Sequence, residues 1–194
     1  MKIGITAPSG TNSQRWSFTL LPSRDAVLAL GEQIGQYFKR LNRLAEKTLL
    51  RKLLTAIGKP ALESYYRNYF ETVADALQQW EKTGRDRLFH GAPAVMIVGS
   101  RPGASCPAED ALLASQNVLL AAHCMGLGTC LIGFAVSALQ QEPKIKHRLG
   151  IPADERIYAV IAIGYPDQEY QRAAGRKMPA IRWFEGIKAE ASPR

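Results

Sequence analysis

The run Pro93-Ala94-Val95-Met96-Ile97-Val98, stopped by Gly99-Ser100, is apolar at successive positions rather than alternate ones. Side chains of a strand point to opposite faces in turn, so this strand is apolar on both sides and has to be covered on both. The flanking sequence supplies the covering layers. Before the strand, residues 24 to 83 read as helical: Ala26, Val27, Leu30, Ile34, Tyr37, Phe38 and Leu41 recur at helical spacing after a Ser23 cap, and Ile57-Gly58 reads as a stop. Pro60 then opens a second helix through Tyr65, Tyr69, Val73, Leu77 and Trp80 to Gly84.

After the strand, a helix starts near Pro107, carries Glu109 and Asp110 in its first turn where the helix dipole favours acids, and ends at Gly126. Thr129 to Ile132 reads as a second strand, Val136 to Leu149 as a helix closed by Gly150, and Arg156 to Ile163 as a third strand that stops at Gly164-Tyr165-Pro166. The expected fold is a mixed α/β or α+β layer protein, with the strand order undetermined from these patterns.

With 194 residues, 46% of them hydrophobic, the chain can build a core without a disulfide or metal and suits one or at most two domains. No apolar run approaches the roughly 20 residues of a membrane span, and Pro8 interrupts the N-terminus before a secretory signal develops, so a cytoplasmic protein is expected. Cys106, Cys124 and Cys130 stand in no metal-binding spacing and are expected as buried thiols; His90, His123 and His147 are scattered, which argues against a histidine metal site. The net charge of +8 concentrates between Lys39 and Lys59, where Lys39, Arg40, Arg43, Lys47, Arg51, Lys52 and Lys59 face the single acid Glu46, with leucines interleaved. This reads first as a solvated basic helix face and second as a surface for an anion or an acidic partner; no recognised motif supports nucleic acid.

Two stretches could carry chemistry. Gly126-Leu127-Gly128-Thr129-Cys130-Leu131-Ile132-Gly133 contains a G-x-G, but between a helix and a following strand, the reverse of the dinucleotide fingerprint. Its glycines suit either a helix cap with a tight turn or a backbone brought close to a flat ligand. The other stretch, Ala7-Pro8-Ser9-Gly10-Thr11-Asn12-Ser13-Gln14-Arg15-Trp16, suits an ordinary capped turn. Yet Ser9, Asn12 and Gln14 concentrate hydroxyl and amide groups able to pair with both donors and acceptors on a planar heterocycle. In an extended chain Asn12 and Gln14 would point to the same side.

Taken in order, several segments resemble the FMN-dependent nitroreductases over nearly the whole chain. They are the A-P-S-G-x-N-x-Q-x-W stretch at 7 to 16, the strand at 92 to 99, and the helix from Asp110 through Ala121-Ala122 to Gly126-Leu127-Gly128-Thr129. Ile132-Gly133-Phe134, Leu149-Gly150-Ile151-Pro152, Ile163-Gly164-Tyr165-Pro166 and Arg176-Lys177-x-Pro179 follow. The tail from Arg176 to Phe184 is most similar to the branch in which such a domain is fused behind a ferredoxin-type iron-sulfur module, whose cluster ligands this sequence does not carry.

The resemblance implies an α+β fold with a central, mainly antiparallel sheet flanked by helices, formed as a single domain over residues 1–194. It implies FMN as cofactor, with Pro8 shaping the turn, Ser9, Asn12 and Gln14 contacting the flavin, Ile132 and Gly133 packing their backbone near the ring, and Arg176 and Lys177 reaching the phosphate. It further implies a homodimer that holds the flavin between subunits, with the helix from Asp110 to Gly126 in the interface. The implied activity is electron transfer from NAD(P)H, or from a ferredoxin-type protein, to a nitroaromatic, quinone or similar flat acceptor; no catalytic side chain is required, because the cofactor does the chemistry. A second reading is a flavin-poor homologue that acts through its dimer surface or basic patch. Arg15 stands where family members commonly have Pro, and the family's N-terminal arginine and serine cluster has no match ahead of Met1, which predicts a weaker and more salt-sensitive hold on the phosphate. Tyr65, Tyr66, Tyr69, Phe70 and Trp80 are expected in helix packing and His123 in an interface.

Overall fold

The computed structural model describes residues 2–168, 171–172 and 175–184. Four strands, β1 (Trp16–Leu21), β2 (Ala94–Ser100), β3 (Gly128–Leu131) and β4 (Arg156–Gly164), form one sheet in the order β1-β2-β4-β3. Every pairing is antiparallel. The helices are α1 (Arg24–Ala45), α2 (Thr48–Ala56), α3 (Ala61–Asn68), α4 (Phe70–Thr83), α5 (Pro107–Cys124), α6 (Gly133–Gln141) and α7 (Pro143–Arg148). This is the α+β arrangement of helices around an antiparallel sheet that the sequence implies. The single-domain expectation over 1–194 also takes in residues 1, 169–170, 173–174 and 185–194, which lie outside the described residues. No helix among the described residues is long and apolar enough to cross a membrane.

The strand that is apolar on both faces lies inside the sheet. Val95 and Ile97 enter one core with Val27, Leu30, Ile34, Ala135 and Leu139, from α1 and α6. Met96 and Val98 enter a second core with Ala111 and Val118 of α5. Ser23 caps α1, its hydroxyl accepting the Ala26 N–H at 3.3 Å. Gly99 and Ser100 do not stop β2. They continue it past a register shift between Val98 and Gly99, where a Cβ on Gly99 would stand 2.7 Å from the Arg156 carbonyl oxygen. The glycine permits a close strand approach at a bulge rather than ending the strand.

The two long helices expected before β2 are four. The first breaks at Glu46-Lys47 because Arg51 is buried rather than solvated: its guanidinium lies over the Tyr66 ring at 3.5 Å and donates to Glu63 Oε2 at 2.9 Å, folding α2 back against α3. The second breaks at Tyr69, whose φ of −133° is not helical. The helix expected from Val136 to Leu149 also divides, since Pro143 lacks an N–H and starts α7 instead. The basic run is therefore only partly a solvated face. Lys39 pairs with Glu81 at 2.6 Å, Arg40 with Glu142 and Arg51 with Glu63, whereas Leu49, Leu53 and Ile57 are exposed.

All three cysteines are free and exposed, contrary to the expectation of buried thiols. They fall at the ends of α5 and on the edge strand β3, where no layer covers them. On α5, Ala111, Ala114, Ser115, Val118 and Ala122 face the sheet, and Leu112, Leu113 and Leu120 face outward and are exposed. Its small residues allow the helix to approach the sheet closely.

Candidate functional site

The polar stretch ahead of β1 is a tight loop held by hydrogen bonds across the chain. Thr11, Asn12 and Gln14 adopt positive φ values of 52°, 53° and 49°, in the left-handed region that non-glycine residues seldom occupy. The side-by-side geometry expected of an extended chain is thus not what forms. The residues meet by another route: the Gln14 amide donates to Asn12 Oδ1 at 2.7 Å, and the Ser9 hydroxyl accepts the Gln14 N–H at 3.0 Å. Asn12 and Gln14 are exposed, as is Pro8. Their amides keep further donor and acceptor capacity directed to solvent.

Asp110 anchors this loop. Its Oδ1 accepts the Gly10 N–H at 2.8 Å and its Oδ2 accepts the Ser13 hydroxyl at 3.1 Å, across about 100 residues of sequence. The sequence marks Asp110 only as an acid in a helix first turn, a description that fits the exposed Glu109 equally well. Gly10 is required by close approach, because a Cβ there would stand 2.6 Å from Ser105 Oγ and 2.9 Å from Cys106 Sγ.

The second stretch divides between structure and opportunity. Gly126, at φ +74°, caps α5: its N–H donates to the His123 carbonyl at 3.0 Å, and Leu127 N–H to that of Ala122 at 2.9 Å. Gly128 lies in β3 against Pro166. The helix-cap reading holds for this half of the stretch. Ile132 is buried and donates its N–H to Val160 at 2.8 Å, which leaves Gly133 as the first residue of α6. A Cβ on Gly133 would meet no atom within 4 Å, so space stands open against its backbone. The first N–H groups of a helix have no intrahelical acceptor and suit an electron-rich ligand edge.

Phe134, next along α6, packs edge-on against Tyr69 at 5.6 Å and against Phe38 at 5.6 Å. Tyr65 stacks on Phe38 at 6.3 Å, and its hydroxyl donates to Asn42 Oδ1 at 2.6 Å. Burial raises the Tyr65 pKa, which keeps that donor protonated. Tyr69 is half exposed, and the rest of its ring packs on Phe134, so these aromatics serve in packing as expected, with Tyr69 at the edge of the cluster.

Within one chain the two stretches are not brought together. The Ser9–Gln14 loop enters β1 at one edge of the sheet, and Ile132-Gly133 leaves β3 at the other. Three strand spacings, about 14 Å, separate those edges. Arg176 and Lys177 lie beyond β4 in an exposed segment, where Arg176 Nη1 donates to the Gly175 carbonyl at 3.2 Å and Met178, Ile181, Trp183 and Phe184 project into solvent.

The fold of helices around an antiparallel sheet is shared with known proteins. The family model described as "Nitroreductase family" matches residues 1–165, and the chain belongs to that family. It is 25% identical over 171 residues to an iodotyrosine deiodinase of Thermotoga neapolitana, a match that covers 86% of this chain and 74% of the relative. It is 26% identical over 188 residues to a 4-nitrobenzoate reductase of Nocardioides sp., with 90% and 72% covered. A nitroreductase structure with bound FMN from Bacteroides fragilis superposes with a TM-score of 0.62 at 20% identity, covering 95% of this chain and 83% of that one.

Proposed function

We propose that the chain is a single-domain, FMN-dependent oxidoreductase that works as a homodimer, with each flavin held between two copies. The observation that carries this reading is the open space against Gly133 at the start of α6. Such a place accepts the edge of a flat ring and offers it backbone N–H groups without a side chain in the way. The exposed amides of Asn12 and Gln14 suit the hydrogen-bonding edge of the same ring, and Ser9 and Pro8 hold their turn. Because the loop and Gly133 sit at opposite sheet edges, a second copy is the economical way for both to reach one flavin. The exposed Leu112, Leu113 and Leu120 of α5 supply an apolar surface for that association. Arg176 and Lys177 provide charge-assisted donors for a terminal phosphate.

When bound, FMN supplies the two-electron chemistry, drawing on a reduced nicotinamide or other donor and returning electrons to a nitroaromatic, quinone or similar flat acceptor. The protein's own part is to hold the ring edge with the loop and α6 and to fix the phosphate with the basic pair. The relatives include both a deiodinase and a nitrobenzoate reductase, so the acceptor is a matter for assay. Titration of the purified chain with FMN and then NADPH, followed in the visible range under anaerobic conditions, tests the reading. Saturation at one FMN per chain followed by bleaching is expected. Failure of any flavin to bind, or a preference for FAD, refutes it, and binding without bleaching by NADPH or by NADH added in its place moves the donor to a protein.

A further inference from the structure

We propose that Asp110 is a positioning residue for the cofactor: its carboxylate sets the Ser9–Gln14 loop in the conformation that presents Asn12 and Gln14. The inference rests on the reading of that loop as flavin-contacting. Asp110 is 2% exposed, and a carboxylate buried to that degree is costly unless its lone pairs are used. Both oxygens are used, and both by the loop, through Gly10 N–H at 2.8 Å and Ser13 Oγ at 3.1 Å. The two donors bracket Thr11 and Asn12, which lie in the left-handed region and would relax out of it without an external hold. The chain also closes on this point from the other side. Gly10 fits against Ser105 and Cys106, and the Asp110 N–H donates to the Cys106 carbonyl at 2.9 Å, so the start of α5 and the loop form one joint. A helix-dipole role would be met by any acid in the first turn. Only Asp110 turns inward to the loop.

The test uses the full chain with Asp110→Ala, Asp110→Asn and Ser13→Ala, and two readouts. The first is amide hydrogen exchange of Gly10 to Gln14 in flavin-free protein, read by NMR. Gly10 is expected to be protected in the parent, to lose tenfold or more of that protection in Asp110→Ala, and to keep most of it in Asp110→Asn, whose carbonyl oxygen still accepts. The second is FMN affinity with the circular dichroism of the bound flavin bands. Affinity is expected to fall about ten- to a hundredfold in Asp110→Ala, since a hydrogen bond to a charged group is lost, and several-fold in Ser13→Ala, with Asp110→Asn between the parent and Asp110→Ala. Unchanged Gly10 exchange, or an FMN affinity within twofold of the parent, in folded Asp110→Ala overturns the proposal. If that variant does not fold, Ser13→Ala decides: weaker FMN with altered flavin dichroism supports the proposal, and parent-like values for both overturn it. A parent that binds no FMN removes the flavin reading, and the exchange data still decide whether Asp110 sets the loop.

Discussion

The substitution Gly133→Ala is expected to leave the fold slightly more stable while weakening FMN binding. Gly133 has no positive φ, and a Cβ added to it meets no atom within 4 Å, so alanine is accommodated without strain in the folded chain. Its benefit comes from the unfolded state, where alanine has fewer conformations to lose, worth about 0.4–1 kcal/mol. For a domain of this size that raises the melting temperature by about 1–4 °C. The same methyl stands in the space assigned to the flavin edge. Losing one backbone hydrogen bond to the ring costs about 0.5–1.5 kcal/mol, a roughly two- to twelvefold weaker Kd, and Gly133→Val is expected to lose more than Gly133→Ala. Thermal melting of flavin-free protein and a fluorescence titration with FMN measure the two effects separately. Parent-like FMN affinity in both variants would refute the assignment of Gly133, and a lower melting temperature for Gly133→Ala would refute the reading of open space.

The double substitution Asn12→Ala with Gln14→Ala is expected to weaken FMN about tenfold with little change in melting temperature, because both side chains are exposed and outside the core; parent-like retention in a flavin titration counts against their role. Leu113→Glu on the outer face of α5 is expected to give a mass of one chain by light scattering, with near-parental secondary structure; an unchanged dimer would place the interface elsewhere. The Glu63 carboxyl is held below its ordinary pKa, first by its hydrogen bond with Arg67 and also by the Arg51 charge, so the stability it contributes is present above the unfolded-state pKa and is lost as pH falls through the lower folded value. Acid loosening of the α2–α3 pair below about pH 4 is therefore expected to shrink in Glu63→Gln, as read by near-ultraviolet dichroism of Tyr66; identical acid profiles would contradict it.

The elements legible in the sequence are those whose signal is local. Ser23 as a cap, the period of α1, the doubly apolar β2, Pro107 at the start of α5 and Gly126 at its end all follow from neighbouring residues. The breaks at Lys47 and Tyr69 do not: the first goes with Arg51 reaching Glu63 and Tyr66 in another helix, and at the second Tyr69 packs on Phe134 of α6. Pro143 was a local signal for a new helix start and is read through when α6 and α7 are taken as one. Gly99 looks like a strand end because glycine weakens strands in general, whereas here it serves the close approach of β4. At the candidate site the residue types of Ser9, Asn12 and Gln14 are visible, but their left-handed backbone and the hold of Asp110 arise from a contact across about 100 residues. No pattern of spacing reports such a contact.

The central claim, that one flavin is shared by the loop of one copy and the α6 start of another, is tested most directly by mixing two damaged chains. Co-expressed Gly133→Val and Asn12→Ala/Gln14→Ala chains, purified as the mixed dimer through two different tags, contain one pair of intact elements if the site spans copies and none if each site lies within a chain. The account predicts that the mixed dimer recovers parent-like FMN affinity at one site per dimer, while both parental variants bind weakly. A mixed dimer with only weak sites would contradict it.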